Sequence, residues 1–177
     1  MRIRNRSGFT LIEVIVVAGI IAILAGILVP LIFKEIESSR TSRAMADEKS
    51  IMAAITVLKK DTGQWPVMDG SCTAAATLMA GNGTDPANLA GIGFDLSVRQ
   101  ILKDHLTQDT NSCYNNWKGP YIADVTPDPW GNAYIINANA FNSGSPVWII
   151  SAGPDGTMTT PPNSSAVVGD DLGLRIE

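Results

Sequence analysis

Residues able to do chemistry are scarce in this 177-residue chain. It has one histidine, His105, and two cysteines, Cys72 and Cys113. Two isolated cysteines and a lone histidine lack the clustered spacing that a metal centre of the zinc type requires. No nucleophile stands in a pattern with a base, and no glycine-rich loop is placed to cradle a phosphate. Basic residues are outnumbered, 13 against 17 acidic, for a formal net charge of −4. Phosphate binding needs a basic face, so nucleic acid is a poor partner. Charge is nearly missing from one long stretch: between Phe9 and Phe33 the only ionisable group is Glu13.

That stretch is the most informative part of the chain. As a helix rising about 1.5 Å per residue it extends roughly 37 Å, enough to cross a bilayer with some tilt. An acid inside such a segment costs at least a few kcal/mol. Nothing else within the run is expected to pair with Glu13, which points to a partner on another chain. The leader in front, Met1-Arg2-Ile3-Arg4-Asn5-Arg6-Ser7, carries three arginines and no acid. By the positive-inside rule the N-terminus stays cytoplasmic and the remainder is exported. A secretory signal peptide and a plain one-pass anchor are the competing readings. The run exceeds a usual signal-peptide core, and the nearest A-x-A match, Ala44-Met45-Ala46, lies in a charged stretch well beyond it.

Gly8-Phe9-Thr10-Leu11-Ile12-Glu13, with its short basic leader and the apolar helix containing Pro30, resembles the N-terminus of type IV pilins and type II secretion pseudopilins. The resemblance implies that a prepilin peptidase cuts between Gly8 and Phe9 on the cytoplasmic side and methylates the new amino group of Phe9. Glu13 then becomes the fifth residue of the mature chain and pairs with the N-terminal amine of a neighbouring subunit in a helical filament. Two opposite charges buried together cost far less than either alone. Losing Arg2, Arg4 and Arg6 leaves 10 basic against 17 acidic residues, a net charge of −7.

Past Lys34 the helix turns amphipathic, with Ile51, Ala54, Ile55 and Leu58 at helical spacing. Gly63 in Asp61-Thr62-Gly63 suits a left-handed C-cap, and Pro66 prevents resumption. Pro30 predicts an interruption, because it removes a donor and crowds the preceding turn. Residues 67–118 read as loops with two short helices, near Thr73 to Ala80 and Leu96 to Leu106. His105, in the second, reads as a surface or half-buried structural residue. Cys72 and Cys113 fall on the exported side, where oxidation is permitted, and are expected to form a disulfide closing this region. Further on, Asp128-Pro129-Trp130-Gly131 fits a type I turn. Two β-rich runs, Ala133 to Asn137 and Val147 to Ser151, predict an antiparallel hairpin whose apolar face closes over the helix.

Asp61-Thr62-Gly63-Gln64-Trp65-Pro66, Lys118-Gly119-Pro120-Tyr121, Asp128-Pro129-Trp130-Gly131-Asn132 and Ser151-Ala152-Gly153-Pro154-Asp155-Gly156, in that order, are similar to stretches of the major, G-type pseudopilin of type II secretion. In that subfamily a calcium ion staples the C-terminal loop, which assigns Asp155 and Asp170, then Asp171, as ligands here. The same carboxylates could in principle serve acid–base catalysis, but nothing catalytic accompanies them, and an enzyme is not expected. The resulting expectation is an α+β fold. Residues 1–8 form the leader, 9–33 a transmembrane and filament-core helix, and 34–177 a periplasmic pilin-like domain in which the helix packs on a small antiparallel sheet. The implied role is that of a structural subunit of a secretion pseudopilus driving protein export across the outer membrane. A type IV pilus subunit for adhesion, motility or DNA uptake is the alternative. Implied partners are identical subunits and minor pseudopilins, the prepilin peptidase, an inner-membrane assembly platform and membrane lipid.

Overall fold

The aliphatic run and the amphipathic stretch behind it form one helix, α1 (Leu11–Thr62). In this computed structural model residues 8–176 are described; residues 1–7 of the expected leader lie outside them. The helix continues through Pro30, where an interruption was expected. A proline deletes a single backbone donor, and helix propagation on either side of it is cooperative enough to keep the chain on course. Gly63 ends α1 with φ +75° and an N–H donated to the Lys59 carbonyl at 2.9 Å. Only a residue tolerant of left-handed backbone serves there.

The chain divides into two compact units, Met1–Ser39 and Arg40–Glu177. Within the first, every residue from Phe9 to Ile36 is exposed, including the whole aliphatic surface. This part of α1 has the length and composition to cross a membrane.

The second unit holds a five-stranded sheet. Its strands are β1 (Leu78–Ala80), β2 (Arg99–Ile101), β3 (Ile135–Asn137), β4 (Trp148–Ser151) and β5 (Leu172–Arg175), in the spatial order β2-β1-β3-β4-β5. A one-turn helix, α2 (Lys103–Leu106), follows β2, and a 3-10 helix (Ala138–Asn142) links β3 to β4. Three junctions are antiparallel, including the expected β3–β4 pair; β1 and β2 run parallel. A parallel pair needs a long crossover, which residues 81–98 supply.

The two helices expected at 73–80 and 96–106 are therefore corrected. Leu78–Ala80 and Arg99–Ile101 are strands, and only Lys103–Leu106 is helical. Leu78–Ala80 pairs with β2 on one side and β3 on the other, so ladder bonds on both edges override its local helix-forming composition.

Side-chain alternation puts a core on each face of the sheet. Met79, Ile136 and Ile149 point to the face covered by Ile51, Ala54, Ile55 and Leu58 of α1. Leu78, Ile135 and Ile150 point the other way, into a second cluster with Leu89, Phe94 and Met158. Each such aliphatic side chain contributes about 1.5–3 kcal/mol when fully buried. The long 81–98 connection thus has a structural use: it covers the face that α1 does not.

Candidate functional site

Three places carry the residues singled out above. At the N-terminal end, Gly8, Phe9 and Thr10 precede the first turn of α1, and Phe9 is 89% exposed. Thr10 and Glu13 form a reciprocal cap. The Thr10 N–H and hydroxyl both donate to Glu13 Oε2, at 2.8 and 2.7 Å, and the Glu13 N–H donates back to Thr10 Oγ1 at 3.4 Å. This is the Thr-x-x-Glu capping box, readable from the spacing alone. It corrects the inference that nothing in the run can pair with Glu13: a neutral partner lies three residues before it. The cap satisfies two donors of the helix start and holds the carboxylate at the head of α1, but supplies no positive charge.

In the C-terminal loop the structure separates the three acidic residues by role. Asp171 is buried; its Oδ2 accepts from the Thr159 N–H (3.0 Å), the Thr160 N–H (2.6 Å) and the Thr159 hydroxyl (3.1 Å). Its Oδ1 is buried with no hydrogen-bond partner. A lone carboxylate oxygen shielded from water is costly unless something meets it. Asp155 is exposed and accepts from the Thr157 N–H at 2.6 Å. Asp170 is exposed and lies over Gly153, where a Cβ would collide with the Asp170 carbonyl. The two ends of the loop therefore meet at Gly153 and Asp170. Among the described residues, no three His, Cys, Asp or Glu side chains converge on a common point.

The middle region is tied down by a disulfide between Cys72 and Cys113, with their Cα atoms 4.9 Å apart. Asp109 orders the same place, its carboxylate accepting from the Cys113 N–H (2.8 Å) and the Tyr114 N–H (3.1 Å). His105 is 5% exposed, a core residue and not the surface or half-buried one expected. Its Nδ1 meets the Tyr114 hydroxyl at 2.7 Å, and burial pushes its pKa down to about 4, so the ring is neutral near pH 7.

The structure adds a fourth group. Glu48 lies one turn before Ile51 on the buried stripe of α1 and is 2% exposed. Its spacing from Ile51, Ile55 and Leu58 was signal enough. Burial, only partly offset by a hydrogen bond from the Ser151 backbone, raises its pKa to about 8. Ser151 is fastened in turn: its hydroxyl donates to Asp128 Oδ2 at 2.6 Å, while Asp128 Oδ1 accepts the Trp130 and Asn132 N–H groups at 3.0 and 2.7 Å. The Gly131 N–H closes the expected turn on the Asp128 carbonyl at 3.0 Å.

The chain is similar to known proteins. Residues 3–29 match the prokaryotic N-terminal methylation motif, and residues 97–170 match the type II secretion system, protein G. A type II secretion system core protein G of Pseudomonas aeruginosa is 30% identical over 158 residues, 88% of this chain and 89% of that one. The protein of the same name from Escherichia coli K12 is 30% identical over 88% of this chain and 87% of its own. A crystal structure of the major pseudopilin from the type 2 secretion system of enterohaemorrhagic Escherichia coli aligns with a TM-score of 0.45. It is 18% identical over 79% of this chain and 86% of that chain.

Proposed function

Since the chain belongs to the family of type II secretion system core protein G, we propose that it polymerises through residues 9–33 into a pseudopilus that drives protein export across the outer membrane. It is a pseudopilin, a subunit that assembles with other pseudopilins. The observation that carries the mechanical reading is the exposed aliphatic surface of α1 headed by one acid. An apolar helix must cover that surface with lipid or with neighbouring helices. A subunit can therefore wait in the inner membrane and move into a filament core without exposing the surface to water.

The finer assignments follow from the residues at the head of α1. The arginine-rich leader orients the N-terminus to the cytoplasm and the domain to the periplasm. The prepilin peptidase cuts after Gly8 and methylates Phe9. Glu13, oriented by Thr10, then receives the new amine of a neighbouring subunit. Minor pseudopilins and an inner-membrane platform complete the assembly. Deleting the gene tests the reading. Secreted proteins should accumulate in the periplasm and return to the medium when the wild-type gene is restored. Unchanged secretion with loss of surface motility would point instead to a type IV pilus.

The C-terminal loop is proposed to take calcium. The buried, unpartnered Oδ1 of Asp171 offers the hard oxygen such a cation prefers. That oxygen supports ranking Asp171 ahead of Asp155 and Asp170, the reverse of the order expected from the resemblance. The ion would supply charge neutralisation and cross-linking within the loop. Melting of the full chain in detergent micelles should shift upward by several degrees with millimolar calcium, and the shift should vanish in Asp171→Ala. The same melting temperature with calcium and with chelator would remove the ion from the account.

A further inference from the structure

Asp128 is a buried acid, 4% exposed, with no part in the assembly chemistry above. Both of its oxygens are engaged. Oδ1 accepts the Trp130 and Asn132 N–H groups at 3.0 and 2.7 Å, and Oδ2 accepts the Ser151 hydroxyl at 2.6 Å. The first two bonds shape the turn that Asp128 itself begins. The third leaves the turn and reaches the end of β4, 23 residues along the chain.

Ser151 is fully buried and passes the tie onward, its Oγ accepting the Gly153 N–H at 3.2 Å. A hydroxyl whose proton is committed to a carboxylate has its lone pairs fixed in direction, and the chain of bonds polarises it as an acceptor. Gly153 is held at φ +65°, with the Asp170 carbonyl where a side chain would stand. Next to Asp170 is Asp171, whose Oδ2 takes the Thr159 and Thr160 N–H groups while Oδ1 has no partner. Residues 84–87 add a backbone connection: the Thr84 N–H donates to the Gly131 carbonyl at 3.1 Å and the Ala87 N–H to the Gly156 carbonyl at 2.9 Å. The turn at Asp128 is thus joined to the C-terminal loop twice, once by backbone and once through Ser151.

We propose that Asp128 and Ser151 are positioning residues for the cation-binding loop. The carboxylate orients the serine hydroxyl, the hydroxyl fixes Gly153 against Asp170, and the loop thereby holds Asp171 in place before any ion arrives. The inference rests on the calcium reading above. Neither residue is a ligand, because both oxygens of Asp128 and the Oγ of Ser151 are already engaged within the protein. A loop ordered in advance loses less conformational entropy on binding, so the relay acts on affinity without touching the ion. Outer partners of this kind are worth about ten- to a hundredfold in metal affinity.

The test is calcium titration calorimetry on the full chain in detergent micelles, well below the melting temperature, so that only folded protein is compared. Ser151→Ala should weaken calcium binding roughly ten- to a hundredfold. Asp128→Asn should weaken it in the same direction, since it keeps Oδ1 for the turn but puts an amide donor where the hydroxyl now donates. It decides the matter if the alanine variant does not fold. With chelator present, the Gly153, Thr159 and Thr160 amides should exchange faster in Ser151→Ala than in the wild type, while the Gly131 amide keeps its protection. A role confined to stability would lower the melting temperature equally with and without calcium and leave the affinity of folded protein unchanged. Wild-type affinity in both variants, or unchanged exchange at those three amides, overturns the positioning role while the calcium reading stands. A wild type that binds no calcium overturns the calcium reading and the positioning role with it.

Discussion

Glu13→Ala enters the membrane at least as well as the wild type and forms no filaments. The change removes a carboxylate whose insertion costs a few kcal/mol, so membrane fractionation should find the variant fully integrated. It cannot unfold the domain, because Glu13 is exposed and its hydrogen bonds run to Thr10, three residues away. In the proposed assembly, what it removes is the acceptor for the amine of the next subunit. Leaving one member of a buried ion pair unmatched costs about 3–5 kcal/mol, or roughly two to three and a half orders of magnitude in association constant per contact. Filament assembly multiplies that loss over many contacts. Filaments sheared from cells and quantified against the membrane pool decide the matter, and wild-type yield from Glu13→Ala would refute the assembly role. Thr10→Ala separates orientation from charge. It keeps the carboxylate but removes the hydroxyl that donates to Oε2, and should lower yield less than Glu13→Ala.

Gly8→Val should accumulate as uncut precursor, with secretion falling to the level of the gene deletion. The structure makes this a clean test. Gly8 is exposed, and a Cβ placed on it meets nothing within 4 Å. The variant therefore folds as the parent does, and a block in processing would belong to the proposed peptidase, which must fit the residue before the cut. An uncut chain keeps Arg2, Arg4 and Arg6 on the end that has to enter the filament core. Three charges there are prohibitive in the absence of partners. Intact-mass measurement of membrane material gives the answer: the wild type should begin at Phe9 with a methylated amine, and Gly8→Val at Met1. Functional filaments retaining Met1 would sink the processing assignment.

Much of the architecture was legible because its signals are local. The aliphatic run of α1 is its own statement of length and exposure. Gly63 marks the helix end through a backbone conformation that few residues accept, and Asp128 to Gly131 closes a turn through bonds within a few residues. The β3–β4 pairing was readable from two β-rich runs separated by a turn-rich link. The G-type resemblance, spread over short motifs in fixed order, indicated the family that the relatives establish.

The misreadings share a different cause. Leu78–Ala80 and Arg99–Ile101 are three residues each, too short for any period to distinguish strand from helix, and Leu78–Ala80 is buried on both faces. Their state was decided by pairing with each other and, for Leu78–Ala80, with β3 far along the chain. His105 reads from the sequence as a surface or half-buried residue because nothing nearby announces Tyr114 packing over it. The Thr10–Glu13 cap is the exception, a local pattern present in the sequence but overlooked in favour of the distant partner.

By itself, then, the sequence determined the long apolar helix, the family, the cap at Gly63 and the turn at Asp128, since each depends on residues within a few positions of one another. Only the tertiary structure decided the parallel β1–β2 edge, the separate environments of Asp155, Asp170 and Asp171, and the burial of Glu48. Those depend on which distant segments exclude water together, and whether a carboxylate is solvated, paired or stranded is a property of that exclusion and not of its neighbours in sequence.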